Sequence, residues 1–175
     1  MSPAATSSSR WKIPFIQETI TAGSCLPPFV AITESWLKSY ITDAQIEISG
    51  YQAFRSDRPD RVGGGCILYV HNDLVVTDWY HYEDRCHNLV TCYSKPCNTL
   101  IALVYRPPGP ETQGYKDLLQ RLQNKMDELS RNTTVPDLYI MGDFNYPAVD
   151  WSRGLQQDND TTVMHDFITR NFLTQ

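Results

Sequence analysis

The sequence has no apolar run near the roughly 20 residues that a membrane-spanning helix needs, so no membrane partner is expected. Residues 1–10 hold no apolar core for a secretory signal, and a single arginine, Arg10, is poor material for a transit peptide. A disordered tail is expected there. There is no C-x-x-C pair, and the five cysteines, Cys25, Cys66, Cys86, Cys92 and Cys97, are an odd number. That argues against a disulfide framework and for a reducing compartment, nuclear or cytoplasmic. Cys86, His87, Cys92 and Cys97 are too irregularly spaced for a zinc site. Positive charge is not in excess either, with a formal net charge of −5. Global attraction to nucleic acid is therefore excluded, and any such contact has to be local. Two Asn-x-Thr sequences, at Asn132 and Asn159, would accept glycans only in a secreted protein and read as polar loops.

What is present is enough apolar material for one core. The 175 residues are 41% hydrophobic and 11% aromatic, which excludes a disordered protein and fits a single domain over residues 11–175. A short helix is expected from Trp11 to Thr21, and Pro27-Pro28 fixes the entry to a first strand over Phe29 to Thr33. Gly50 to Arg58 reads as strand or loop. Gly63-Gly64-Gly65 lacks the following Gly-Lys-[Ser/Thr] of a phosphate cradle and reads as a positive-φ turn before Ile67 to Val70. Leu74 to Tyr80, Cys86 to Tyr93 and Thr99 to Tyr105 look like successive strands of a mostly antiparallel meander. Between Tyr115 and Leu129 the period changes: Tyr115, Leu118, Leu119, Leu122, Met126 and Leu129 share one helical face. A second helix is expected from Val163 to Phe172, with Trp151 pinning the loop before it and a polar loop over residues 156–162.

Chemistry gathers where apolar runs end. Tyr139-Ile140-Met141 runs into Gly142-Asp143-Phe144-Asn145, and period-two alternation points Asp143 and Asn145 one way and Phe144 the other, into a core. A carboxylate there can take a proton from water, and a carboxamide can hold that water or a phosphoryl oxygen. Phe29-Val30-Ala31-Ile32-Thr33 runs into Glu34, and Leu100 to Val104 runs into Tyr105-Arg106-Pro107-Pro108. If these exits share one sheet end, Glu34 is a hard oxygen ligand for a divalent ion such as Mg²⁺, and Tyr105 and Arg106 contact phosphate. Arg55, Arg58 and Arg61 cluster before the glycine run, with Lys95 and Arg106 as further cations; solvated loop and DNA contact are both open readings.

Four motifs, Ile32-Thr33-Glu34-Ser35-Trp36-Leu37, Gly63-Gly64-Gly65-Cys66-Ile67-Leu68-Tyr69-Val70, Val104-Tyr105-Arg106-Pro107-Pro108-Gly109 and Gly142-Asp143-Phe144-Asn145, occur in the order and approximate spacing of the endonuclease/exonuclease/phosphatase superfamily. Over Pro28 to the C-terminus the chain most resembles the apurinic-endonuclease-like domain of non-LTR retrotransposons. The resemblance implies an α/β fold, the layered α/β sandwich of the deoxyribonuclease I-like type, and a metal-dependent phosphodiester hydrolysis acting on DNA. It implies Glu34 as the metal-binding glutamate, Tyr105 as a phosphate-contacting tyrosine, Asp143 as the water-activating aspartate and Asn145 as its partner. Mg²⁺ or Mn²⁺ is the implied cofactor, and a reverse transcriptase domain is the implied partner in a full-length relative.

The departures from that pattern set further expectations. Superfamily members open with a strand that delivers an Asn to the metal site, yet no Asn precedes Asn72 here. They close with a Ser-Asp-His, which this sequence lacks. His71, His81, His87 and His165 stand in other contexts, and His165-Asp166 reads as helix surface. The expectation is a sandwich incomplete at both ends, with weak metal affinity and weak or no activity. The alternative function is a catalytically inactive remnant that acts, if at all, as a binding or interaction module. Oligomeric state is left open.

Overall fold

The computed structural model describes residues 12–23, 25–58, 63–109, 113–131, 134–146 and 162–174. The expected tail over residues 1–10, Arg61, Trp151, both Asn-x-Thr asparagines and residues 156–161 lie outside them. Among the described residues three α-helices and seven strands form in the order α1 (Lys12–Thr21), β1 (Phe29–Thr33), β2 (Tyr51–Ser56), β3 (Cys66–His71), β4 (Asp78–Glu83), β5 (Asn88–Ser94), β6 (Thr99–Tyr105), α2 (Gln113–Ser130), β7 (Asp137–Asp143) and α3 (Thr162–Arg170).

The strands divide into two sheets, one ordered β1-β3-β2 and one ordered β4-β5-β6-β7. All pairings are antiparallel except β6 with β7, which are parallel and joined through α2. The expected meander is thus real for β4, β5 and β6, but the chain changes sheets between β3 and β4. The crossing stacks one sheet on the other and leaves β3 buried on both faces. Cys66, Leu68 and Val70 of β3 meet Val90, Cys92, Ile101, Leu103 and Tyr105 between the sheets. The alternate residues Ile67 and Tyr69 face Ile13 and Ile20 of α1 on the outer side. On the far side, Leu100, Ala102 and Val104 of β6 meet Tyr115, Leu118, Leu122 and Met126 of α2, with Met164 and Phe167 of α3. Continuous apolar runs are what two-sided burial requires, and each fully buried Leu, Ile or Val contributes about 1.5–3 kcal/mol.

Two strand starts differ from expectation. β4 begins at Asp78 rather than Leu74, because Asn72 and Asp73 turn the chain and Leu74 and Val76 pack as loop residues against the intersheet core. β5 begins at Asn88 rather than Cys86, because Asp84 Oδ1 accepts the backbone N–H groups of Cys86 at 2.6 Å and His87 at 2.7 Å and curls the chain into a turn. The same carboxylate lies against Gly114 in the first turn of α2, where any Cβ would collide with it. An acidic group there complements the helix dipole, since α2 has no acid of its own in that turn.

Candidate active site

The ends of β1, β6 and β7 meet, and the side chains expected to carry chemistry meet with them. Tyr105 and Asp143 are register partners on the parallel strands β6 and β7. The Tyr105 hydroxyl donates to Glu34 Oε1, joining residues 71 positions apart across the two sheets. Glu34 Oε2 accepts from the Trp36 indole Nε1 at 2.5 Å and from the Gly64 amide at 2.6 Å. Burial alone would raise the Glu34 pKa, but the hydrogen bonds from Tyr105, Gly64 and Trp36, with the charge of Arg58 nearby, hold it below the usual carboxylate range. Burial pushes the Tyr105 phenol up, and Glu34 and Asp143 push it further, so it stays a proton donor.

The backbone is strained to make this possible. Glu34 and Trp36 have φ of 53° and 55°, and Asn145 has 48°; these are three of the five non-glycine residues in that region among the described residues. Left-handed φ costs little for Asn and on the order of 1–3 kcal/mol for a residue such as Trp. Residues 34–38 leave β1 as an irregular segment. It is held by the glycine run: Ser35 N–H donates to the Gly65 carbonyl and Trp36 N–H to that of Gly64. Gly63, Gly64 and Gly65 have φ of 86°, 73° and 85°, the positive values expected of a turn. The run therefore supplies a donor to Glu34 as well as a reversal of the chain, a role that its pattern did not disclose.

Asn145 N–H donates to Asp143 Oδ1 at 3.2 Å, and its carboxamide Nδ2 donates to the Arg106 carbonyl at 2.8 Å. One amide N–H of Asn145 is thereby committed to the protein. Phe144 packs toward the helix-side core, as the alternation requires. Arg106 departs from its expected role as a phosphate contact. It is 2% exposed. Its guanidinium donates to the carbonyls of Phe144 at 3.1 Å, Asn145 at 3.0 Å and Gly109, and lies over the Tyr146 ring at 4.2 Å. Arg106 shapes the loop that carries Asn145. Of the other cations, Arg55 is bound to Asp57 and Asp43, and Lys95 sits at the β5–β6 turn, the opposite end from Tyr105. Arg58 remains at the site: it lies against Gly64, donates to the Arg85 carbonyl at 2.5 Å and acts on Glu34 and Tyr105 through its charge.

His165 is 30% exposed on α3, and lines one side of a cavity of about 710 Å³ whose wall also includes Asp143 and Asn145. Among the described residues no group of three or more His, Cys, Asp or Glu side chains stands together as a ready metal cage. Mg²⁺ asks for less, one or two carboxylates with water and substrate oxygens. The Glu34 carboxylate is a hard oxygen donor held in its charged form, which fits such an ion.

No protein-family model matches the sequence, and no curated protein matches it. Solved structures do. NExo, a 3′ phosphatase from Neisseria solved with a product DNA hairpin, is 16% identical with a TM-score of 0.57, over 83% of this chain and 56% of its own. The chain shares with it a layered α/β sandwich fold of the deoxyribonuclease I-like type. The AP endonuclease LMAP from Leishmania major is 15% identical, TM-score 0.54, over 95% of this chain and 64% of its own. The human Nocturnin catalytic domain with a bound sulfate is 18% identical, TM-score 0.51, over 77% and 56%. The chain thus spans 56 to 64% of the length of these three structures.

Proposed function

We propose that the chain carries the site of a divalent-metal-dependent phosphodiester hydrolase, with DNA as substrate. The observation that supports this most is the meeting of Glu34 with Tyr105 beside Asp143, three polar side chains brought together from three strand ends. In this reading Glu34 holds Mg²⁺ or Mn²⁺, which when bound neutralises charge on the scissile phosphate. Asp143 takes the proton from the attacking water. Tyr105 orients Glu34 by donating its one hydroxyl proton to the carboxylate, and could contact phosphate only by turning that proton from Glu34 to the substrate; Arg58 supplies positive charge to the DNA backbone. Asn145 keeps Asp143 and the Arg106 loop in register. DNA substrates are also supported by the product hairpin in the Neisseria 3′ phosphatase and by the AP endonuclease of the same fold. The Thr-Glu-Ser-Trp-Leu and Tyr-Arg-Pro-Pro wording favours an endonuclease of the retrotransposon type, with a reverse transcriptase as its working partner.

The test is nicking of supercoiled plasmid in Mg²⁺ or Mn²⁺. The rate is expected to be low, because no Ser-Asp-His supports the phosphate in this sequence and a missing acid or electrostatic partner costs on the order of 10²–10⁴. Asp143→Asn and Glu34→Gln should each abolish it. Nicking that survives both substitutions overturns the reading. A second reading, a binding module without catalysis, is favoured by the three protein donors on Glu34 and the committed amide of Asn145. DNA binding without any metal-dependent cleavage would support it.

A further inference from the structure

A single buried carboxamide underlies the arrangement around Glu34. Asn88 opens β5, stands opposite Tyr105 in the β5–β6 register and is 0% exposed. Its Oδ1 accepts from the Gly65 N–H at 3.3 Å; its Nδ2 donates to Ser56 Oγ at 2.9 Å and to the Ser56 carbonyl at 3.4 Å. A backbone N–H only donates and a carbonyl only accepts, so these partners fix the orientation of the amide. Ser56 Oγ donates in turn to the Tyr82 carbonyl at 3.3 Å. Asn88 therefore reaches from one sheet into the other and holds two segments at once: the end of β2, two residues before Arg58, and the glycine run.

From Gly65 the connection to Glu34 is continuous. The Gly65 carbonyl receives the Ser35 N–H at 3.2 Å, and the Gly64 carbonyl receives the Trp36 N–H at 3.0 Å. The Gly64 amide donates to Glu34 Oε2 at 2.6 Å. Burying a carboxamide in an otherwise apolar interior costs free energy unless its hydrogen bonds are made. Packing alone gives no reason for Asn at this position, since an apolar residue of similar volume would fill the same space. What such a residue could not do is hold the Gly65 N–H.

We propose that Asn88 is a positioning residue for Glu34, fixing the glycine run whose Gly64 amide holds the carboxylate at the strand-end site. Its relevance to metal and phosphate chemistry rests on the functional reading above; the positioning itself does not.

The test uses the 175-residue chain and two variants, Asn88→Leu, which fills the volume without hydrogen bonds, and Ser56→Ala, which deletes only one anchor of the amide. Amide hydrogen exchange followed by NMR should show Gly65 and Gly64 exchanging about tenfold faster or more in Asn88→Leu, while Leu103 and Val104 in the core keep their rates. Ser56→Ala should move the same two glycines in the same direction by less, and decides the matter if Asn88→Leu does not fold. Mn²⁺ binding followed by electron paramagnetic resonance should weaken several-fold in whichever variant folds. Faster exchange at Gly65 with Gly64 unchanged, or no change at either glycine, overturns the proposal. Equal Mn²⁺ binding by the wild-type chain and Glu34→Gln would instead remove Glu34 as a metal ligand and sink the functional reading, with Gly64 exchange still deciding the role of Asn88.

Discussion

The hydroxyl of Tyr105 and the carboxylate of Glu34 are hydrogen-bonded across the gap between the two sheets, and each changes the acidity of the other. The phenol is raised and stays protonated; the carboxylate is lowered and stays charged. Tyr105→Phe should therefore leave stability within about 1 kcal/mol, the net worth of one hydrogen bond, while lowering any metal-dependent nicking rate on the order of 10²-fold. Because the phenol titrates above its ordinary value, the wild-type rate should not fall as pH passes about 10 through tyrosine ionisation. A pH–rate profile of wild type and variant checks both statements.

The two arginines expected at phosphate should behave oppositely. Arg106 is enclosed by three carbonyls, so Arg106→Met leaves them without their donor and should cost about 2–4 kcal/mol in urea unfolding. Arg58→Ala should leave the unfolding midpoint nearly unchanged. It should instead weaken DNA binding at all sequences and reduce the slope of log affinity against log salt by about 1.

Acid sensitivity should trace in part to Asp84. Burial would raise its pKa, but the Cys86 and His87 amides and the His87 ring together hold it below the ordinary carboxylate value. A lowered folded-state pKa means stability that is fully present above the unfolded value of about 3.9 and lost as pH falls through the lower folded value. Asp84→Asn should be less stable than wild type at pH 7 and should lose less stability on acidification from pH 5 to pH 2. Equal acid slopes in urea titrations would contradict this assignment.

Gly142 should be irreplaceable. Its φ is 147°, and a Cβ there would overlap the Val104 carbonyl on β6. Gly142→Ala is expected to cost about 3 kcal/mol or more and to part the strand ends that carry Tyr105 and Asp143. Gly109→Ala, where a Cβ meets nothing within 4 Å despite a φ of 125°, should cost less. Thermal melting of the two variants compares them directly.

Most of the fold could be read from the sequence because the strands buried on both faces are continuous apolar runs and α2 carries a strong stripe. Thr99 to Tyr105 and the face from Tyr115 to Met126 formed as expected. The partition into two sheets was not legible, since a run such as Cys66 to His71 is equally apolar whichever sheet it joins. Glu34, Tyr105 and Asp143 were legible as strand exits with reactive groups. Arg106 was not, because sequence does not say whether a guanidinium faces solvent or curls under its own loop. Asn88, Ser56 and the Trp36 indole were missed for a related reason: a single polar residue at a strand end looks like an ordinary turn signal until its partners from distant segments are in place.

The crossover from β6 through α2 to β7 has a consequence for the order in which the molecule assembles. β6, α2 and β7 follow one another in the chain, and the β6–β7 pairing brings Tyr105 and Asp143 side by side. Glu34 reaches Tyr105 only by closing a separation of 71 residues and docking one sheet on the other. Local contacts form before distant ones because loop closure must be met first. On the proposed functional reading, the crossover is expected to form half of the site and Glu34 to join it last, so a partly folded chain would display Asp143 and Tyr105 without the carboxylate proposed to hold the metal.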